Sequence, residues 1–208
     1  MTHKIYLGLE FFIIYVLIPI SFTIPYAPII KLILALLGFS YVIFILLKVE
    51  NLKFKIAPNL NWKRFWKETL VKFMVIVLVT TLFVWITDKD ALFTVLLNKP
   101  KMWVAILIIY STLSVYPQEL LYRTFFFQRY RSLITNEKFF LFLNAVIFAL
   151  GHIFFKNALV IVLTFIGGLL FAYTYRNTNS TLLVSIEHAI FGSWLFTVGM
   201  GNMLGFPS

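Results

Sequence analysis

Residues 102–130 read MWVAILIIYSTLSVYPQELLYRTFFFQRY. From Met102 to Gln118 no side chain carries a charge, and apolar and aromatic residues dominate. A helix rises 1.5 Å per residue, so about 20 residues cross the hydrocarbon core of a bilayer. This stretch is long enough to do so. The rest of the chain has the same character. Of its 208 residues, 61% are hydrophobic and 12% charged, and mean hydropathy is +0.93. Soluble domains are about half apolar and about a quarter charged. A water-soluble fold of this size could not cover so much apolar surface, whereas lipid can.

Working outward, further spans are predicted at 5–22, 29–47, 69–87, 139–155, 158–175 and 181–198. Turn and breaker residues separate them: Pro25 and Pro28, Asn59 to Asn61, Asn98 to Pro100, Asn136 to Lys138, and Asn177 to Ser180. Ser180 or Thr181 is suited to cap the last helix. The expected fold is all-α, a polytopic transmembrane helix bundle of about seven spans forming a single membrane domain over 1–208. Ile5 to Ile20 is apolar, but Ser21 to Pro25 lacks small residues in a cleavage-site spacing, so this segment reads as a retained first helix. Trp62, Phe65, Trp66 and Leu70 recur at helical spacing with Lys63, Arg64 and Lys67 between them. That pattern predicts a short interfacial amphipathic helix in the polar connection 48–68. Its plain alternative is a basic loop with aromatic anchors.

The net charge is +10. In a soluble protein this would suggest nucleic acid, but here the basic residues cluster beside apolar spans and report topology, so the expected partner is membrane lipid and no nucleic acid. With the N-terminus in the cytoplasm, thirteen Lys and Arg fall inside and five outside. This orientation, in a cell (plasma) membrane, satisfies the positive-inside rule. Cysteine is absent, which excludes disulfides, thiolate chemistry and cysteine-bound metal.

Charged groups at membrane depth cost about 2.5–3.5 kcal/mol each even on insertion scales, so the few that break the apolar pattern are informative. They are Glu10, Glu119, Arg123, His152, Glu187 and His188. Glu10 reads as a helix-interface or snorkelling residue. Glu119 and Arg123 are four apart on one helix face and can pair, and Pro117 just before them removes a helical hydrogen bond. Phe148 and His152 are again four apart. Glu187 and His188 are adjacent and point about 100° apart. Measured from their cytoplasmic ends, Glu119, His188 and His152 lie about 15, 12 and 21 Å into the membrane, depths at which they can meet. A lone intramembrane pair or histidine is often a packing clamp. Two His and two Glu on three helices at similar depth favour a site.

On these residues the chain resembles the CPBP family, the CAAX proteases and bacteriocin-processing enzymes also called Abi. That family carries Glu-Glu-x-x-x-Arg, then Phe-x-x-x-His, then His-x-x-x-Asn on a third helix. Gln118-Glu119-Leu120-Leu121-Tyr122-Arg123, Phe148-Ala149-Leu150-Gly151-His152, and His188 with Gly192 follow that order and spacing, over a catalytic core of about 102–198. The resemblance implies a glutamate-type intramembrane endopeptidase that needs no metal or cofactor and cleaves a membrane-associated peptide or protein. It implies that His152 activates water, His188 steadies the oxyanion, and Glu119 and Arg123 support them. Two positions depart from the pattern. Gln118 stands where the family has its general base, and an amide cannot take a proton from water. Gly192 stands where it has Asn, and losing one oxyanion donor costs about 3–4 kcal/mol.

Glu119 and Glu187 are the carboxylates left to work with His152 on the water, with Gln118 positioning it. The catalytic set expected is therefore Glu119, His152 and His188, supported by Gln118, Arg123 and Glu187. Other readings use the same residues. A catalytically inactive relative would bind a partner helix or headgroup as a scaffold or immunity protein. A small transporter would use them as a proton relay, although no internal repeat supports one. His152, His188 and one Glu would suit a zinc site, although no His-Glu-x-x-His motif is present.

Overall fold

The computed structural model describes residues 3–50 and 60–204. Among the described residues, seven helices are long and apolar enough to span a membrane: α1 His3–Ser21, α2 Pro28–Lys48, α3 Trp62–Thr87, α4 Pro100–Tyr130, α5 Glu137–Phe155, α6 Ala158–Thr178 and α7 Thr181–Val198. The chain is a polytopic helical bundle, with no strand among the described residues. Three breakers seen in the sequence, Asn61, Asn136 and Ser180, act as caps, and so does Asn157, which sequence reading missed. The side chains of Asn61, Asn136, Asn157 and Ser180 accept hydrogen bonds from Arg64 N, Phe139 N, Leu159 N and Leu183 N at 2.9, 3.0, 2.9 and 3.2 Å. Each satisfies an amide that the first turn of a helix leaves without a partner. Asn179 follows α6 in the left-handed conformation that Asn tolerates best after Gly.

The amphipathic stretch is helical, but it is not a separate interfacial helix. Trp62 to Leu70 forms the opening turns of α3, which runs unbroken to Thr87. No Gly or Pro interrupts 62–87, so nothing stops the helix at the interface. Phe65 turns inward and is buried, while Trp62, Trp66 and Leu70 stay exposed. The part of the expected segment at 51–59 lies outside the described residues.

α4 departs from regular geometry at the position that matters. It is π-helical over Tyr110–Val115 and Leu120–Phe125, with one α-helical turn, Tyr116–Glu119, between. Pro117 has no amide hydrogen, so the i→i−4 ladder cannot close there, and π-bulges often mark functional positions. Carbonyls in and beside the second bulge are satisfied from other helices. Tyr15 Oη of α1 donates to Leu121 O at 2.8 Å, and Asn144 Nδ2 of α5 donates to Tyr122 O at 2.6 Å. Within lipid, such groups must find partners inside the protein.

The core is aromatic. Phe11, Tyr15, Tyr122, Phe126, Tyr130 and Phe140 interlock where α1, α4 and α5 meet. α5 and α6 approach closely at Gly168, where an added Cβ would lie 2.9 Å from Ala145 Cα. Small residues that bring backbones together are a usual means of helix association in lipid. Glu10 is buried at an interface, as the sequence suggested. It accepts from Tyr41 Oη at 2.5 Å and from Arg129 Nε at 2.9 Å, and Arg129 Nη1 also reaches Glu50 at 2.9 Å. One charge cluster thus ties together α1, α2 and the end of α4.

Candidate active site

Glu119 lies in the short α turn of α4, wholly buried. Its Oε1 accepts from Nδ1 of His188 on α7 at 2.7 Å. Its Oε2 lies 3.4 Å from Arg123 Nε, a charge contact not aligned as a hydrogen bond. Arg123 is also fully buried. Its Nη1 donates to Asn144 Oδ1 of α5 at 2.8 Å, and Nη2 reaches Gly168 O of α6 at 3.5 Å. The guanidinium sits 4.7 Å above the Phe148 ring, a favourable place for a cation. One buried cation therefore joins α4, α5 and α6 behind Glu119. Buried ion pairs persist only when their remaining donors are satisfied in this way.

His188 is clamped as well as paired. Its ring stacks on Phe171 at 4.4 Å and meets Phe148 edge-on at 5.6 Å. His152 lies near the end of α5, just past its α-helical part, where its Nδ1 bonds Phe148 O at 2.7 Å and its ring packs 4.8 Å from Phe148. The expected bracing of His152 by Phe148 is present. A carbonyl and a carboxylate can only accept, so Nδ1 donates in both histidines. In both, Nε2 makes no hydrogen bond with the described residues and is the atom left for chemistry.

Gln118, His152 and His188 all line one cavity of about 570 Å³, together with Tyr110, Ser114 and Tyr122. The rest of its wall is mainly apolar, from α3, α5, α6 and α7. Gln118 Nε2 donates to Ser114 Oγ at 2.7 Å. Its Oε1 is buried with no partner in the protein, an acceptor free to take a hydrogen bond. Glu119 does not line the cavity and reaches it through His188. That differs from the expectation that Glu119 itself faces the water.

Glu187 does not join the group. It is fully buried but turned toward α3, where Lys72 Nζ donates to it at 2.7 Å and Thr69 Oγ1 lies 3.4 Å away. Lys72 also donates to Thr174 Oγ1 at 2.9 Å. The 100° between adjacent helical residues sends Glu187 to α3 and His188 to α4. The two-His, one-Glu zinc arrangement does not form either. Among the described residues no three His, Asp or Glu side chains converge, and the carboxylate nearest the imidazoles takes His188 Nδ1.

Comparison with known families now bears on this geometry. Residues 100–194 match the family model described as type II CAAX prenyl endopeptidase Rce1-like. Over that segment, which is less than half of the chain, the sequence is similar to the CPBP family. The match spans α4, α5, α6 and most of α7, and so includes Glu119, His152 and His188. No curated protein and no solved structure matches the chain.

Sequence reading missed Asn144, Ser114, Tyr110 and Tyr122. Asn144 had a signal: it is a lone amide in an apolar run, at i−4 and i−8 from Phe148 and His152, hence on their face. The tyrosines had none, in a chain holding 10 Tyr and 24 Phe.

Proposed function

We propose that this CPBP relative is an active intramembrane endopeptidase that cleaves a membrane-associated peptide or protein. One observation carries the reading. Glu119 holds His188 by a 2.7 Å hydrogen bond at the wall of a cavity that His152 also lines. Two histidines with fixed rings, free Nε2 atoms and one shared apolar chamber are what a water-activating site needs.

The chemistry runs on this chain's own residues. Gln118 Oε1 accepts a hydrogen bond from the attacking water and orients it. His152, with Nδ1–H held by Phe148 O, takes the water's proton at Nε2 as the C–O bond forms. His188, when it carries both protons, donates from Nε2 to the carbonyl oxygen as that oxygen becomes an oxyanion, and Glu119 balances its charge. When the tetrahedral adduct collapses, the C–N bond breaks and His152 returns its proton to the leaving amine. Glu119 is thus a positioning residue acting through His188. Arg123 and Asn144 hold Glu119 in turn.

The matched family name supplies a first substrate class to try, prenylated CAAX peptides. The proposed setting is a cell membrane with the N-terminus in the cytoplasm. The purified protein in liposomes is given a quenched farnesylated CAAX peptide and a panel of membrane-anchored peptides. Cleavage is expected, with His152→Ala and His188→Ala each lowering kcat by about 10²–10⁴-fold. Wild-type protein that cuts nothing, or a His152→Ala variant that cuts equally well, overturns the reading.

Gln118 favours a second reading, in which the cavity only binds its peptide. Binding without cleavage, unaffected by His152→Ala, identifies that outcome.

A further inference from the structure

Stabilising a tetrahedral oxyanion usually takes more than one preorganised donor. His188 supplies one. The next residue on its face, one turn along α7, is Gly192, which has no side chain to give. The space beside Gly192 is filled nonetheless. A Cβ built on Gly192 would overlap the hydroxyl and ring of Tyr110. Tyr110 comes from the first π-helical stretch of α4. Its ring meets His188 edge-on with centroids 6.0 Å apart and packs on Phe196 at 4.8 Å. Tyr110, Gly192 and His188 line the same cavity, and Tyr110 Oη has no hydrogen-bond partner among the described residues.

We propose that the Tyr110 hydroxyl, standing where a side chain at position 192 would project, is the second oxyanion donor beside His188. This rests on the peptidase reading and deepens it. A phenol donates one hydrogen bond, and its ring is already fixed by His188 and Phe196, so little freedom is lost when the oxyanion forms. Gly192 is then a requirement of the arrangement, because any larger residue competes with Tyr110 for one space.

The test is cleavage in liposomes by wild type, His152→Ala, Tyr110→Phe, Tyr110→Ala, Gly192→Asn and the double variant Tyr110→Ala/Gly192→Asn. Tyr110→Phe removes only the hydroxyl. It is expected to lower kcat by about 10²-fold or more, with KM within about threefold and an unchanged thermal unfolding midpoint. Gly192→Asn is expected to lose activity through overlap with the ring. The double variant, which makes room for the amide and restores a donor, is expected to exceed Tyr110→Ala by at least about tenfold. If wild type cleaves, His152→Ala does not, and Tyr110→Phe matches wild type, the Tyr110 role falls and the peptidase reading stands. If wild type cuts no peptide, both fall. If Tyr110→Phe unfolds, the double variant decides: recovery over Tyr110→Ala supports the role and its absence overturns it.

Discussion

Gln118 is the residue on which the proposed chemistry turns. Gln118 lines the cavity, its amide nitrogen is bonded to Ser114, and its amide oxygen is buried without a partner in the protein. A carboxylate there could accept a proton as well as a hydrogen bond. Gln118→Glu is therefore expected to raise kcat, by up to about 10²-fold on the scale of general-base contributions. Ser114 can donate to the new carboxylate, so the fold should tolerate it. Steady-state cleavage of the same peptide checks this, and unchanged or lower activity would show that the site does not use a base at 118. Arg123 is the structural counterpart. Removing its charge by Arg123→Leu leaves buried Glu119 with His188 as its one remaining partner among the described residues, and breaking such a buried pair costs about 3–5 kcal/mol, read as loss of the folded fraction in graded denaturant. At this scale the sequence was most informative about charge. Glu119, Arg123, His152 and His188 each break an apolar run, and two of them, Arg123 and His188, meet at Glu119. Glu187 breaks one too, yet it pairs with Lys72. The choice depends on which neighbour lies across the helix, and spacing alone does not carry that.

At the scale of elements, the α5–α6 contact sets the site's width. Gly168 sits against Ala145, and its carbonyl also receives Arg123. Gly168→Val would push the two backbones apart and drag the Arg123 cradle with them. The expected result is a destabilisation of about 1–3 kcal/mol from overpacking, together with reduced cleavage, checked by a melting curve beside the assay. Gly8→Ala on α1, where an added Cβ meets nothing within 4 Å, serves as the silent control. Span positions were legible to within a few residues, because apolar length and Asn, Ser and Pro punctuation mark them directly. Two element features were not. Aromatic periodicity at 62–70 announced a helix but could not show that it continues into α3. The π-helical stretches of α4 flank Pro117, and carbonyls of the second are partnered by donors on α1 and α5, remote in sequence. The placement of Tyr110 beside Gly192 depends on those stretches and was equally hidden.

For the whole molecule, the charge asymmetry predicts a cytoplasmic N-terminus and a C-terminus on the opposite face. Reporters active on only one side of the membrane, fused in turn to each end, should read opposite sides; the same side for both would require an even number of crossings. The family match begins at α4, but the bundle does not. Tyr15 of α1 satisfies a carbonyl of the second bulge, and Glu10 with Glu50 neutralises Arg129 at the end of α4. A shortened chain starting at residue 100 would leave that guanidinium without either acidic neighbour and the bulge without its phenol. Glu10, Tyr15 and Glu50 are therefore a brace that the half carrying the candidate site cannot shed. Supplying the preceding segment as a separate polypeptide should rescue such a truncation, whereas a version bearing Glu10→Ala should rescue it poorly.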